Sequence, residues 1–159
     1  MSPNWSLMRE TLLLRAYALP RIPMITLLSP TVVALDDQQA VVRIPLTWRS
    51  KNHLGSMYFG ALSVGADCTG GLLAMQEMRR RPEKIALVFK DFHANFLKRA
   101  DGDVHFTCRQ GPEIRDLVRR AADTGERVEL PMDIIATVPE KYGDEPVAKF
   151  VLTLSLKRR

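Results

Sequence analysis

The longest stretch of the chain with almost no charge runs from Lys51 to Glu77, KNHLGSMYFGALSVGADCTGGLLAMQE, and between its charged ends it carries one formally charged side chain, Asp67. Its glycines fall at 55, 60, 65, 70 and 71. A glycine inside a helix costs about 1 kcal/mol relative to alanine, so this many imply close backbone approach to neighbouring elements. A helix that is small and apolar on most sides suits burial all round, with a sheet curled about it. Its one carboxylate then sits where a charge is expensive, which makes Asp67 the first place to look for function.

The flanking segments show other periods. Residues 5–19 read as a helix that Ser6 caps, with Leu7, Leu14 and Ala18 near one face, and Pro20 and Pro23 end it. Its plain role is to cover an open end of the sheet. Thr31–Leu35 and Ala40–Trp48 read as strands about a turn at Asp36–Gln39; Val42, Ile44, Leu46 and Trp48 share one face, and Pro45 marks an edge strand or a bulge. The buried helix follows, from Tyr58–Gly60 to about Arg80. Ile85–Leu97 then alternates with a slip at Lys90–Asp91 that predicts a bulge, and Asp101-Gly102 predicts a hairpin turn into Val104–Gln110. Pro112 opens and Gly125 closes an outer helix over Glu113–Thr124, apolar only at Ile114, Leu117, Val118 and Ala121. Val128–Val138 and Val147–Leu156 alternate cleanly. Six strands joined largely by hairpins, with one apolar helix in the concave face, make an antiparallel α+β architecture.

Composition narrows the class without naming a function. A chain of 159 residues, 46% hydrophobic and 26% charged, fits one soluble domain. The net charge of +5 leaves nucleic acid, an anionic membrane and polyanionic small molecules open. Nucleic acid is disfavoured, because the basic residues are not interleaved with stacking aromatics. Cys68 and Cys108 give neither a disulfide framework nor a zinc spacing, and His53, His93 and His105 show no metal-ligand spacing. No metal or cofactor is expected. The Leu12-Leu13-Leu14 run is too short for a signal segment, and five glycines with a central Asp argue against a membrane span. A reducing, cytoplasmic setting is the expectation.

With the order of elements in place, three motifs resemble those of hotdog-fold acyl-CoA thioesterases of the phenylacetate-pathway type, and the extra helix at 113–124 is similar to an uncharacterised branch of that superfamily. The family pattern of Asn, His-Gly-Gly and a later acidic residue is matched in spacing by Asn52, Tyr58-Phe59-Gly60 and Asp67. Phe92–Thr107 is similar to the family's long strand, its "FLRPA" turn and the next strand, with Lys98-Arg99 in place of Arg-Pro. Glu145–Ala148 and Phe150–Leu156 resemble its last strand. The likeness covers residues 30–157 and implies a hotdog domain over 30–159, with an N-terminal helical segment, 1–29, packed on it. This sequence departs from the pattern where Tyr58 replaces the His and Phe59 the first Gly.

The resemblance implies thioester hydrolysis by a homodimer or dimer of dimers acting on an acyl-CoA. Asp67 would be base or nucleophile, the Gly60 amide would hold the oxyanion, and Asn52 would orient water or substrate. Tyr58, Phe59, Ser56 and Ser63 would line the substrate site, and Lys98-Arg99, with Arg79–Arg81 and Lys157–Arg159, would be placed to grip coenzyme A phosphates. Gly60 and Asp67 stand about 10 Å apart along a helix, so one carbonyl reaches both only across two chains. The residues themselves leave plainer alternatives open: Asp67 tied to backbone amides or to Ser63 and Thr69, Asn52 as a turn residue, and the basic clusters as solvated ends. Ser56 and Ser63 lack a partnered His/Asp pattern for a nucleophile. The alternative function is a non-catalytic acyl-CoA or acyl-group binder; a hydratase is less supported, because the helix start lacks the expected His.

Overall fold

The computed structural model of the chain describes residues 4–159. Its long central helix, α3, spans Phe59–Met78 as the lack of charge predicts. Six strands surround it: β1 Thr31–Leu35, β2 Ala40–Ile44, β3 Ile85–Phe96, β4 Val104–Cys108, β5 Val128–Thr137 and β6 Pro146–Arg158. They form one antiparallel sheet in the order β1-β2-β4-β5-β6-β3. The result is the hotdog arrangement, with α4 (Gly111–Thr124) packing Ile114, Leu117, Val118 and Ala121 inward and closing on a left-handed Gly125 at φ 74°. Lacking a Cβ, Gly125 adopts this conformation without strain.

Two apolar clusters flank α3. The larger fills the concave sheet face with Phe106, Met132, Ile134, Phe150, Leu152 and Leu154, among others. The smaller joins Leu14, Ala18, Ile25, Val32, Val42, Cys68 and Leu72 under the N-terminal helices α1 (Trp5–Arg21) and α2 (Pro23–Leu27). The glycines of α3 serve different ends. A methyl group on Gly65 would collide with the Phe106 ring and one on Gly70 with Met132, so these two positions let the helix sink against the sheet. A methyl on Gly71 would meet nothing within 4 Å.

Several expectations are corrected. Helix α1 runs through Pro20 to Arg21, and Pro23 opens α2 rather than ending a helix. Asn4, not Ser6, is the N-cap; the Ser6 hydroxyl donates to Asn4 Oδ1 at 2.7 Å. Strand β2 stops at Ile44 and lies inside the sheet, so Pro45 marks its end, and Trp48 is 77% exposed. Asp101-Gly102 does not make a hairpin, because β3 pairs only with β6 at the sheet edge. The turn is anchored elsewhere: Met57 N–H donates to the Ala100 carbonyl at 2.7 Å and Leu46 N–H to Asp103 Oδ1 at 2.8 Å. Of the sequential strand pairs, β1–β2, β4–β5 and β5–β6 are neighbours, the last two joined through helices. The slip in β3 is where the pattern predicts it, between Phe89 and Phe92.

Gly65→Ala is expected to destabilise the fold by about 1–3 kcal/mol through overpacking against Phe106. Gly71→Ala is expected to raise stability by about 0.5–1 kcal/mol, since helix propensity improves and no atom is displaced. Urea unfolding of the two variants checks both signs.

Candidate active site

Asp67 lies in the middle of α3, facing the side that the main core does not cover. It lines a cavity of about 520 Å³ with Leu14, Tyr17, Ile22, Gly71, Met75 and Phe89 among its walls. Among the described residues its carboxylate accepts no hydrogen bond and makes no ion pair. The hydroxyls nearest in sequence are committed to the helix backbone: Ser63 donates to the Phe59 carbonyl at 2.9 Å and Thr69 to the Gly65 carbonyl at 2.7 Å. A structural carboxylate tied to those hydroxyls is therefore not what the site contains. Desolvation raises the Asp67 pKa above the usual carboxylate value. The adjacent Cys68 thiol is pushed up to about 12, first by burial and then by the Asp67 charge, so it is no nucleophile at neutral pH. Burial likewise raises Cys108.

A second cavity, of about 580 Å³, sits at the start of α3. Asn52, Ser56, Tyr58, Phe59, Lys98 and Arg99 line it together, although the chain separates them by up to 47 positions (99 minus 52). Tyr58 is the N-cap and provides no side-chain cap, and the Phe59, Gly60 and Ala61 amides find no acceptor among the described residues. Uncapped amides at a helix start carry the positive end of the dipole and suit a developing oxyanion. The direction a Gly60 side chain would take is filled by the Tyr58 ring.

The other expected residues divide. Asn52 behaves as a turn residue: its Oδ1 accepts from Leu54 N–H at 2.9 Å and Ser56 N–H at 3.3 Å, and it exchanges hydrogen bonds with the Ser56 hydroxyl. Lys98 is held by Glu145 at 2.7 Å and lies 4.5 Å from the Tyr142 ring centroid, whereas Arg99 has no ion-pair partner among the described residues. The Arg79–Arg81 run is taken up by Glu10, by Asp37 with Glu77, and by Asp123. Arg158 donates to the Ala122 carbonyl. Arg79 and Arg159 also line the Asp67 cavity. Gly60 and Ser63 line neither cavity and stand on α3 between them.

Sequence reasoning missed the walls around Asp67. Leu14, Tyr17, Ala18, Ile22 and Ile25 of α1 and α2 roof the cavity, so these helices enclose it as well as covering the sheet. Gly71 was visible as a glycine, and its place one turn beyond Asp67 on the same face was the available signal. Strand β3 runs from one cavity to the other. Ala86, Leu87 and Phe89 near one end of β3 line the Asp67 cavity, and Phe96, with Leu97 just beyond the other end, lines the cavity at the start of α3.

Fold and site together define a hotdog protein with an apolar, carboxylate-bearing cavity. The sequence profile of a family described as a domain of unknown function (DUF4442) matches residues 10–154, and the chain belongs to that family. No curated protein matches the sequence. Among solved structures, a Pseudomonas aeruginosa protein of unknown function, described as a probable thioesterase, is 24% identical with a TM-score of 0.74, covering 94% of this chain and 96% of its own. A mutant thioesterase from the same organism is 20% identical, with a TM-score of 0.67 over 100% of this chain and 97% of its own. A thioesterase from Haemophilus influenzae is 16% identical, with a TM-score of 0.63 over 88% and 86%. These likenesses show the fold. Among the described residues no group of side chains is arranged to hold a metal ion, and no helix is long and apolar enough to cross a membrane.

The raised Asp67 pKa has a consequence for stability. The folded chain binds the Asp67 proton more tightly than the unfolded chain does, so this group's contribution to stability falls as pH rises from about 4 through the raised value. Asp67→Asn is therefore expected to be more stable than the parent at pH 7, with the difference closing below about pH 4. Thermal melts across that range measure it.

Proposed function

We propose that this chain hydrolyses acyl thioesters, acyl-CoA foremost, at a site completed by two copies of the chain. The observation that carries the reading is the position of the two cavities at opposite ends of one edge strand. Strand β3 pairs on one side only, and its second half is exposed, with Phe92 at 42% and Phe96 at 48%. A long, partly apolar edge is a template for pairing with another strand. Antiparallel pairing of β3 with its own copy, about a two-fold axis near the bulge, sets the Phe96 end of one chain against the Leu87 end of the other. The Asp67 cavity of each chain then meets the amide-bearing cavity of its partner. This resolves the separation of about 10 Å between Gly60 and Asp67 along one helix.

In this reading the acyl chain occupies the apolar cavity beneath α1 and α2, and the segment preceding residue 30 is a cover on the hotdog domain. Asp67 removes a proton from water as the oxygen attacks the thioester carbonyl carbon, or attacks that carbon itself to leave, once the thiolate departs, a mixed anhydride that water then cleaves to the free acid. The free amides at the start of the partner's α3, that of Phe59 in the cavity wall and that of Gly60 next along the helix, take the negative charge on the carbonyl oxygen. Collapse of the tetrahedral intermediate breaks the carbon–sulfur bond and releases the thiolate. Arg99, which is free of carboxylate partners among the described residues, is placed to meet a phosphate. Asn52 shapes the loop that presents Tyr58 and Phe59. A second reading, acyl binding without turnover, is favoured by Tyr58, whose ring crowds Gly60 where the thioesterase pattern has a His-Gly pair.

Asp67→Ala is expected to lose at least about 100-fold in thiol release from an acyl-CoA panel while the dimer persists by sedimentation. Full activity in that variant removes Asp67 from the mechanism, and acyl-CoA binding without turnover in the parent ends the hydrolytic proposal and selects the binder. Phe92→Asp is expected to yield monomers and to abolish turnover together, since each monomer retains only half of each site.

A further inference from the structure

The outer side of α1 is as apolar as its inner side. At 100° per residue Trp5, Met8, Leu12 and Leu19 fall on one arc, and they are exposed at 74%, 44%, 61% and 62%. The side with Thr11, Leu14 and Ala18, about 120° away around the helix, is the buried one. Helix α2 adds Met24 and Leu27, exposed at 62% and 51%. A contiguous apolar surface of this kind marks a contact with a membrane or another protein.

Charge selects between them. The two helices carry Arg9, Arg15 and Arg21 against a single carboxylate, Glu10, which Arg79 already holds at 3.0 Å. Arg15 donates to the Ser29 and Pro30 carbonyls, and Arg21 lies 4.6 Å from the centroid of the Tyr17 ring. Arg9 borders the exposed arc, about 40° beyond Trp5. A two-fold contact through this face would set Arg9 against its own copy, with no free carboxylate on either helix to offset it. A layer of anionic lipid headgroups over an acyl interior meets both demands, the arginines at the surface and the leucines beneath it. Trp5 and Tyr17 have the amphipathic rings that suit that boundary. Tyr17 and Ile22 are partly exposed and also line the Asp67 cavity, so they form a rim between the outer face and the cavity.

We propose that the α1–α2 face docks reversibly on an anionic phospholipid surface, with the Asp67 cavity opening beside the contact. The full chain is incubated with vesicles of phosphatidylcholine alone and of phosphatidylcholine with phosphatidylglycerol, and bound protein is measured by co-sedimentation. Trp48→Phe leaves Trp5 as the one fluorescent indole. Binding to the anionic vesicles is expected to exceed that to neutral ones by about tenfold or more and to weaken in high salt, with a blue shift of Trp5 emission. Leu12→Ser with Leu19→Ser is expected to abolish binding, and Arg9→Glu to remove the preference for anionic lipid, both without loss of thermal stability because these side chains are exposed. Absence of binding to either vesicle overturns the proposal. So does an assembly larger than a dimer that the Leu12/Leu19 variant dissolves, which would make the face a contact between copies. Partition is read without turnover, so this result stands apart from the hydrolysis assay.

Discussion

Everything in this molecule depends on how closely one apolar helix lies against the sheet. Gly65 beneath Phe106 and Gly70 beneath Met132 remove the side chains that would hold α3 away. Each glycine weakens the helix by about 1 kcal/mol in isolation, and burial against the sheet offsets it. The helix can be buried on that side only because its other side is left to the smaller cluster under α1 and α2. Asp67 and Gly71 fall in the gap between the two clusters. The cavity follows from the same packing that fixes the core.

The charged end of α3 is secured differently. Glu77 is 5% exposed near the negative end of the helix dipole, an unfavourable place for a carboxylate. Arg80 at 2.9 Å and Arg115 of α4 at 3.6 Å compensate it, and Arg80 also reaches Asp37 in the β1–β2 turn at 2.8 Å. Basic residues that a sequence reader assigns to an anionic ligand are here consumed in joining three elements. Among the described residues Asp67 has no such partner, and the contrast between the two carboxylates of one helix is what singles it out.

The division of labour along β3 links fold to chemistry. An edge strand with a central bulge carries the wall of one cavity near one end and that of the other cavity at its far end. A single chain holds a carboxylate in one place and free helix-start amides in another. Largely apolar walls surround the carboxylate, and Arg99 lines the cavity at the helix start.

The sequence by itself determined the identity and extent of the central helix, the alternation of β3, β5 and β6, the irregularity at Lys90–Asp91 and the Gly125 cap. These are local properties: periodicity and turn chemistry are written in consecutive residues. Tertiary structure alone decided that β4 lies between β2 and β5, against the hairpin that Asp101-Gly102 suggested, because a turn motif reverses the chain without choosing its partner strand. It also decided that α1 and α2 roof a cavity, that Asn52 spends its side chain on its own loop, and that Asp67 stands unpaired among the described residues. Which groups share a buried volume is set by contacts between distant segments, and no spacing along the chain records it.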